Sequence, residues 1–396
     1  MSEPAYALRR VLEVLHTCGV DGWLAYDSLM SASRQGRLDP GDPLALCFLS
    51  REPGRVSATV ESFRVGRALR RAGMEVDVRG EGRCDVSVTT DGTRRTVTVQ
   101  ACWPAGHRVV FAPGLPPRED VDTVLPLGEL EVDGMSLPAP ADTARVLTAV
   151  YGPEWASHER PYRVRPRAAA AAVDQRRGYG RHRQHWERFY QGAYGVTAPR
   201  EPSLFARWVA ERCEADEPRP LVVDVGCGNG RDTRHFAELG YDVLGLDYAH
   251  AGLAAARELL GDEGEGATLR ALDLNDLRAA LVQGAELDQT GGPLVLYARF
   301  VVHAVDDDAR DNVWRLAATA LRRGGRAYLE FRTHRDALTE HVFEEQHYRR
   351  FLEPDEIEAE LKRHGGAVVH REEGRGLAPF RSEDPDICRM VVQWAR

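Results

Sequence analysis

The densest chemical signal in these 396 residues is the segment VVDVGCGNGRDT at 222–233. Gly226, Gly228 and Gly230 alternate directly after a β-branched run, as in a tight strand-to-helix turn. Such a turn lets a ligand approach the backbone and directs the N–H groups of 226–230 toward it. A dinucleotide fingerprint needs G-x-G-x-x-G, but here the third glycine comes one position early and Arg231 fills the slot. No Gly-Lys-Ser/Thr follows, which excludes a Walker loop. The compact spacing suits a ligand without a pyrophosphate, and S-adenosylmethionine (SAM) is such a ligand. Three acids fall at the ends of successive strand-like runs. Asp224 lies in the turn, Asp247 comes 17 residues after Gly230, and Asp273 sits in ALDLND. A single Asp at a strand end is commonly just a helix cap. Three in register behind a glycine turn point instead to a cofactor, with Asp247 taking ribose hydroxyls, Asp273 the adenine amino group and Leu274 lining the ring.

The elements around this turn alternate regularly. Strands are expected at 221–226, 241–247, 268–274, 293–300 and 325–333, with helices such as 249–260 and 307–322 between them. That pattern predicts an α/β, Rossmann-like, doubly wound and mostly parallel sheet. A helix at 354–364 and strands at 367–373 and 387–395 predict an antiparallel end to it. The first half reads differently. Helices are expected at 5–17, 61–73 and 141–151, and a hairpin joins 84–90 to 94–103 through Asp91-Gly92. This is an α+β unit. Between the halves, residues 164–180 are rich in Ala and Arg with few large apolar side chains, a plausible linker. The expected domains are therefore 1–163 and 181–396.

With DVGCGNG, GLD and ALDLND in this order, residues 181–396 resemble a class I SAM-dependent methyltransferase. The resemblance implies that Asp224, Gly226, Gly228 and Gly230 hold the methionine moiety, Asp247 the ribose and Asp273 the adenine. HWERFYQG (185–192) and PSLFARWV (202–209) resemble helices that cap the cofactor in such enzymes; Trp186, Phe189 and Tyr190 read equally well as core aromatics. Methyl transfer from a sulfonium is an in-line displacement, so residues at the ends of the fourth and fifth strands should face the methyl group. The candidates there and in EEQHYRRFLEP (345–354) are Tyr297, Arg299, Arg332, Arg349 and Arg350 for an anionic acceptor. His303 or His347 is a candidate general base and Glu330 a further catalytic candidate. Structural ion pairing of Arg299 and Arg332 with Glu330 or Asp336 is the competing reading. No Asn-Pro-Pro-Tyr-type signature is present, which weighs against adenine or glutamine N-methylation. The tail at 374–392 resembles a bacterial group often associated with capsule or surface-glycan biosynthesis, implying a sugar-linked or phosphorylated acceptor.

Residues 19–50 resemble the LicD/fukutin-type nucleotidyltransferases, with Arg34, Gly36 and Pro40 matching, as does YGPEW at 151–155. The acid cluster departs from that pattern. Two-metal phosphoryl transfer needs closely spaced carboxylates, yet only Asp42 stands in the stretch, followed by Pro43, Leu44, Ala45 and Leu46. Asp39 is out of phase, and Asp85 is a candidate to face the same site. The first domain is therefore expected to be non-catalytic, serving as scaffold, dimer surface or presenter of an acceptor.

Composition sets the outer bounds. A net charge of −9 argues against general nucleic-acid binding, and no apolar run is long enough to span a membrane. Arg9, Arg10 and Glu13 interrupt any signal-peptide core. Seven scattered cysteines without CxxC read as reduced thiols in a cytoplasmic protein, with no metal site. The leading expectation is an O-directed methyltransferase acting on a small or glycan-linked anionic acceptor, possible as a homodimer. The alternatives are a bifunctional nucleotidyltransferase/methyltransferase and a non-enzymatic SAM-binding sensor or assembly subunit.

Overall fold

The computed structural model describes residues 2–39, 41–80, 82–90, 92–111, 118–157, 183–192, 199–216, 218–261, 266–338 and 350–394. The linker 164–180, Pro40, Asp91, His347 and Arg349 lie outside the described residues. The chain divides into two units, Met1–Arg177 and Gly178–Arg396.

In the first unit the strands are β1 (Gly22–Leu24), β2 (Leu44–Leu49), β3 (Glu75–Gly80), β4 (Arg83–Thr90), β5 (Thr93–Ala105), β6 (Arg108–Val110), β7 (Arg118–Asp120), β8 (Gly128–Val132) and β9 (Met135–Ala139). The main sheet runs β1-β2-β5-β4-β3, with β6 beside β5 and β7 beside β6, and β8 pairs with β9 separately. β2 and β5 are parallel, whereas β1–β2, β3–β4 and β4–β5 are antiparallel. Helices Glu3–Thr17 and Arg55–Arg71 pack on it as the 3.6-residue periodicity of their apolar side chains requires. Ser2 caps the first through its hydroxyl, which accepts from Ala5 N–H.

In the second unit the strands are β10 (Leu221–Val225), β11 (Val243–Asp247), β12 (Ala267–Ala271), β13 (Leu294–Arg299), β14 (Arg326–Arg332), β15 (Gly366–Gly374) and β16 (Ile387–Trp394). Their order is β12-β11-β10-β13-β14-β16-β15. The five strands from β12 to β14 are parallel, and β16 runs antiparallel to both β14 and β15. The expected mixed sheet is therefore observed. Its central strands read as continuous apolar runs because both faces are covered. Val222, Val243, Val295, Tyr297 and Tyr328 pack on one side with Phe205 and Phe236. On the other, Val223, Leu244, Leu296, Leu329 and Met390 pack with Trp314 and Ile357. Strand order reverses between β10 and β13, and such a switch point leaves a crevice at the carboxyl ends of the strands.

Candidate active site

The crevice is a cavity of about 570 Å³. Small-ligand sites typically occupy roughly 300–1,000 Å³. Its floor at the β10 end is the glycine turn. Gly228 and Gly230 have φ of +55° and +75°, backbone conformations that side chains with a Cβ rarely adopt. A Cβ on Gly230 would stand 2.7 Å from the Ala256 Cβ, and one on Gly228 would collide with the Tyr190 hydroxyl. The turn also spends most of its own donors. Gly226 and Cys227 donate N–H to the Leu246 carbonyl at 2.7 and 3.1 Å, and Gly230 donates to the Cys227 carbonyl at 2.9 Å. Gly228 donates to Asp247 Oδ2 at 2.9 Å. The expectation that the whole row of N–H groups faces a ligand is therefore corrected: the glycines let Val301, Tyr190 and Ala256 pack against the turn, and the bonds that shape it use the N–H groups of 226, 227, 228 and 230.

The three acids occupy distinct environments. Asp224 is 3% exposed and accepts from the Thr233 hydroxyl at 2.6 Å. Burial, only partly offset by that bond, pushes its carboxyl up to about 7. Asp247 accepts N–H from Ala249 at 2.8 Å as well as from Gly228, and the Tyr248 N–H also bonds its carboxylate. Burial raises its pKa against the pull of those N–H groups. Asp273 accepts from the backbone N–H and side-chain amide of Asn275, at 2.9 and 3.2 Å. The cavity wall there is Leu272, Leu274 and Asn275, with Asp273 turned to Asn275.

A helix at 183–191 brings Trp186, Phe189 and Tyr190 into the cavity wall as a mutually packed aromatic group. It is fastened by Glu187, whose carboxylate accepts N–H from His250 and Ala251, both at 2.8 Å, at the start of helix His250–Leu260. Tyr190 lies against Gly228 and Gly252. Burial, then the nearby Asp247, drives its hydroxyl well above the usual tyrosine range.

Strand register composes the other end of the cavity. Arg299 on β13 stands opposite Glu330 on β14, and Glu330 stands opposite Arg389 on β16. Arg299 Nε lies 2.9 Å from Glu330 Oε1, and Arg389 Nε donates to Oε2 at 2.9 Å. Glu330 is fully buried; burial raises its pKa while the two guanidiniums oppose that rise. Tyr297 is also fully buried and donates to Asp232 Oδ2 at 2.7 Å, with the Ser203 hydroxyl 3.1 Å away. Burial disfavours the charge on Asp232, but Arg231, Arg299 and these donors outweigh it and hold the carboxyl below its usual range.

Arg332 donates to Asp336 Oδ2 at 2.6 Å and to Glu383. Its backbone N–H donates to His303 Nδ1 at 3.3 Å, and His303 is 2% exposed at the cavity wall. Arg350 donates its N–H to the His303 carbonyl at 2.8 Å and pairs its side chain with Asp307. The structure thus brings Tyr297, Arg299, His303, Glu330 and Arg332 to one cavity. Phe300 joins them at φ +59°, its ring beneath the guanidiniums of Arg299 and Arg332 at 4.2 and 5.3 Å. Sequence reading missed Asp232, Ser203, Phe300, Arg389 and Glu383. Arg389 and Glu383 lie in the 374–392 tail, whose resemblance assigned them no role, because only the antiparallel return of β16 and the segment before it bring them beside β14. Asp232 and Ser203 could have been flagged by adjacency to the glycine turn and by the N-cap position of helix Leu204–Cys213.

In the first unit Asp42 accepts from the Ser31 hydroxyl at 2.5 Å, and Asp27 accepts from the Tyr151 hydroxyl at 2.8 Å. Asp85 is held by Arg79 and Thr98, each at 2.8 Å. Leu44, Ala45 and Leu46 are buried in β2. Among the described residues no group of three or more His, Cys, Asp and Glu could hold a metal ion.

Residues 222–325 match the family model of a methyltransferase domain. No curated protein matches the chain. Solved structures similar to it include a SAM-dependent methyltransferase from Anabaena variabilis, at 16% identity over 54% of this chain and 94% of that one, with a TM-score of 0.42. A glycopeptide N-methyltransferase, MtfA, complexed with SAM is 19% identical over 49% of this chain and 95% of that one, with a TM-score of 0.37. The 1,6-didemethyltoxoflavin N1-methyltransferase of Burkholderia thailandensis, bound to 1,6-didemethyltoxoflavin and S-adenosylhomocysteine, is 20% identical over 56% and 90%, with a TM-score of 0.41.

Proposed function

We propose that the SAM-dependent methyltransferase domain in the second unit methylates an oxygen of a small or glycan-linked anionic acceptor. The observation that carries this reading is the single cavity joining the glycine turn and Asp247 to the arginine-bearing ends of β13 and β14. SAM supplies a methyl group on a positively charged sulfur, ready for in-line displacement. Gly226, Gly228 and Gly230 admit it closely, Asp224 faces its ammonium, Asp247 takes the ribose hydroxyls, and Leu272, Leu274 and Asn275 flank the adenine beside Asp273. Tyr190 and Trp186 exclude water from above the turn.

Arg299 faces the acceptor, ion-paired with Glu330, which acts as a positioning residue because its two oxygens each lie 2.9 Å from a guanidinium, of Arg299 and of Arg389. Arg332 and Arg350 order the surrounding loops through Asp336, Glu383 and Asp307. With Nδ1 accepting from Arg332 N–H, neutral His303 carries its proton on Nε2, so it serves as a donor that orients the acceptor. His347 stays a candidate base and Arg349 a candidate anion ligand.

The test is calorimetry with S-adenosylhomocysteine. Wild type is expected to bind in the micromolar range, and Asp247→Ala to lose about 1–3 kcal/mol, the worth of a charged hydrogen-bond acceptor. Absence of binding to wild type overturns the reading. For the first unit we infer a nucleotidyltransferase-like scaffold that has lost its metal-binding carboxylates. Supporting this, apolar Leu44, Ala45 and Leu46 occupy β2 and Asp42 is engaged by Ser31. The seven free thiols suit a reducing, cytoplasmic setting.

A further inference from the structure

The arginines at the cavity differ in what they already hold. Arg332 is committed to Asp336 and Glu383, Arg299 is ion-paired with Glu330, and Arg200, which also lines the cavity, is an exposed residue. Arg231, the first residue of helix Arg231–Glu238, lines the same cavity with its side chain 16% exposed. Among the described residues it makes no hydrogen bond. Its one acidic neighbour within ion-pair range is Asp232, with Oδ1 3.8 Å from Arg231 Nε, beyond hydrogen-bonding distance. Asp232 is engaged elsewhere: Oδ1 accepts from the Ser203 N–H at 2.7 Å, and Oδ2 accepts from the Ser203 hydroxyl at 2.9 Å and the Tyr297 hydroxyl at 2.7 Å. A mostly buried guanidinium with unmade hydrogen bonds is costly, and it sits here at the junction of the glycine turn and the acceptor end. Burial, then the like charge of Arg299, lower its pKa, and the neighbouring Asp232 only partly offsets them.

We propose that Arg231 is the carboxylate receptor of this cavity, presenting its planar fork to a carboxylate of the bound reactants. This rests on the reading that the cavity takes SAM and an acid acceptor. The fork of a guanidinium matches the two oxygens of a carboxylate, and an anion there would supply the partner that the protein withholds. Two reactants can bring that group: the methionine end of the methyl donor and the acid on the acceptor. Arg231 is thus a specificity-determining residue that the glycine motif places but does not announce.

The experiment compares wild type, Arg231→Gln and Arg231→Lys by calorimetry with three probes. These are S-adenosylhomocysteine, 5′-methylthioadenosine (the same nucleoside thioether without its amino acid) and benzoate added to the S-adenosylhomocysteine-loaded protein. Arg231→Gln is expected to weaken a carboxylate-bearing probe by about tenfold or more, with methylthioadenosine unchanged and Arg231→Lys recovering part of the loss. A loss for S-adenosylhomocysteine assigns the donor's carboxylate to Arg231. A loss for benzoate alone assigns the acceptor's. Equal loss for methylthioadenosine, or no loss for either acid, overturns the proposal while leaving the methyltransferase reading standing. A wild type that binds neither nucleoside overturns that reading and this proposal together.

Discussion

Two carboxylates of the cavity respond oppositely to substitution. Glu330 is fully buried between Arg299 and Arg389. Replacing it with Gln leaves two guanidiniums short of a counter-charge, and breaking a buried pair in this way costs about 3–5 kcal/mol. Glu330→Gln should therefore lower the denaturant midpoint of the second unit sharply. A variant that keeps full stability and loses only turnover would make Glu330 catalytic instead. Asp224 is the reverse case. Its folded-state pKa of about 7 lies above the ordinary 3.8, so ionisation opposes folding, and the penalty accumulates as pH rises from about 4 to about 7. A bound ammonium prefers the ionised form. Affinity for S-adenosylhomocysteine should then fall as pH drops from about 8 to about 6. Asp224→Asn should flatten that dependence and stabilise the ligand-free protein above pH 7, read by thermal melts across the range.

At the scale of elements, Glu187 fastens the aromatic helix 183–191 to the start of helix His250–Leu260 by accepting two backbone N–H groups. Glu187→Ala leaves those donors without their carboxylate and is expected to cost about 1 kcal/mol of helix-end stabilisation. It should also weaken S-adenosylhomocysteine several-fold, read by calorimetry together with tryptophan fluorescence from Trp186. The existence of these elements was largely legible: the apolar runs at 221–226 and 293–300 appear as β10 and β13, and the tail pair as the antiparallel β15 and β16. In the first half the reading found helix Glu3–Thr17 and the β4–β5 hairpin but passed over β2. LALCFL has no period-2 alternation, because all but its last residue are buried. The glycine turn, Asp224 and Asp247 could be placed at one crevice from the sequence because they are contiguous or lie at strand ends, whereas Asp273 turns to Asn275 and does not line it. The Arg299–Glu330–Arg389 row was not, since register between distant strands leaves no local trace.

At the scale of the whole molecule, every residue lining the cavity falls within Gly178–Arg396. That segment expressed alone is expected to bind S-adenosylhomocysteine with the affinity of the full chain, and the intact protein to release no pyrophosphate from nucleoside triphosphates with magnesium. A fragment that folds but binds weakly would give the first unit a part in ligand binding. β16 closes the sheet late. It is the last of the described strands, yet it sits inside the sheet between β14 and β15, and Arg389 on it ties both Glu330 and the Leu377 carbonyl. During synthesis, β14 must wait with a bare edge until residues 387–394 have been made. A chain cut short before Ile387 would therefore yield an adhesive intermediate, prone to clumping and to capture by chaperones, rather than a slightly shortened catalyst.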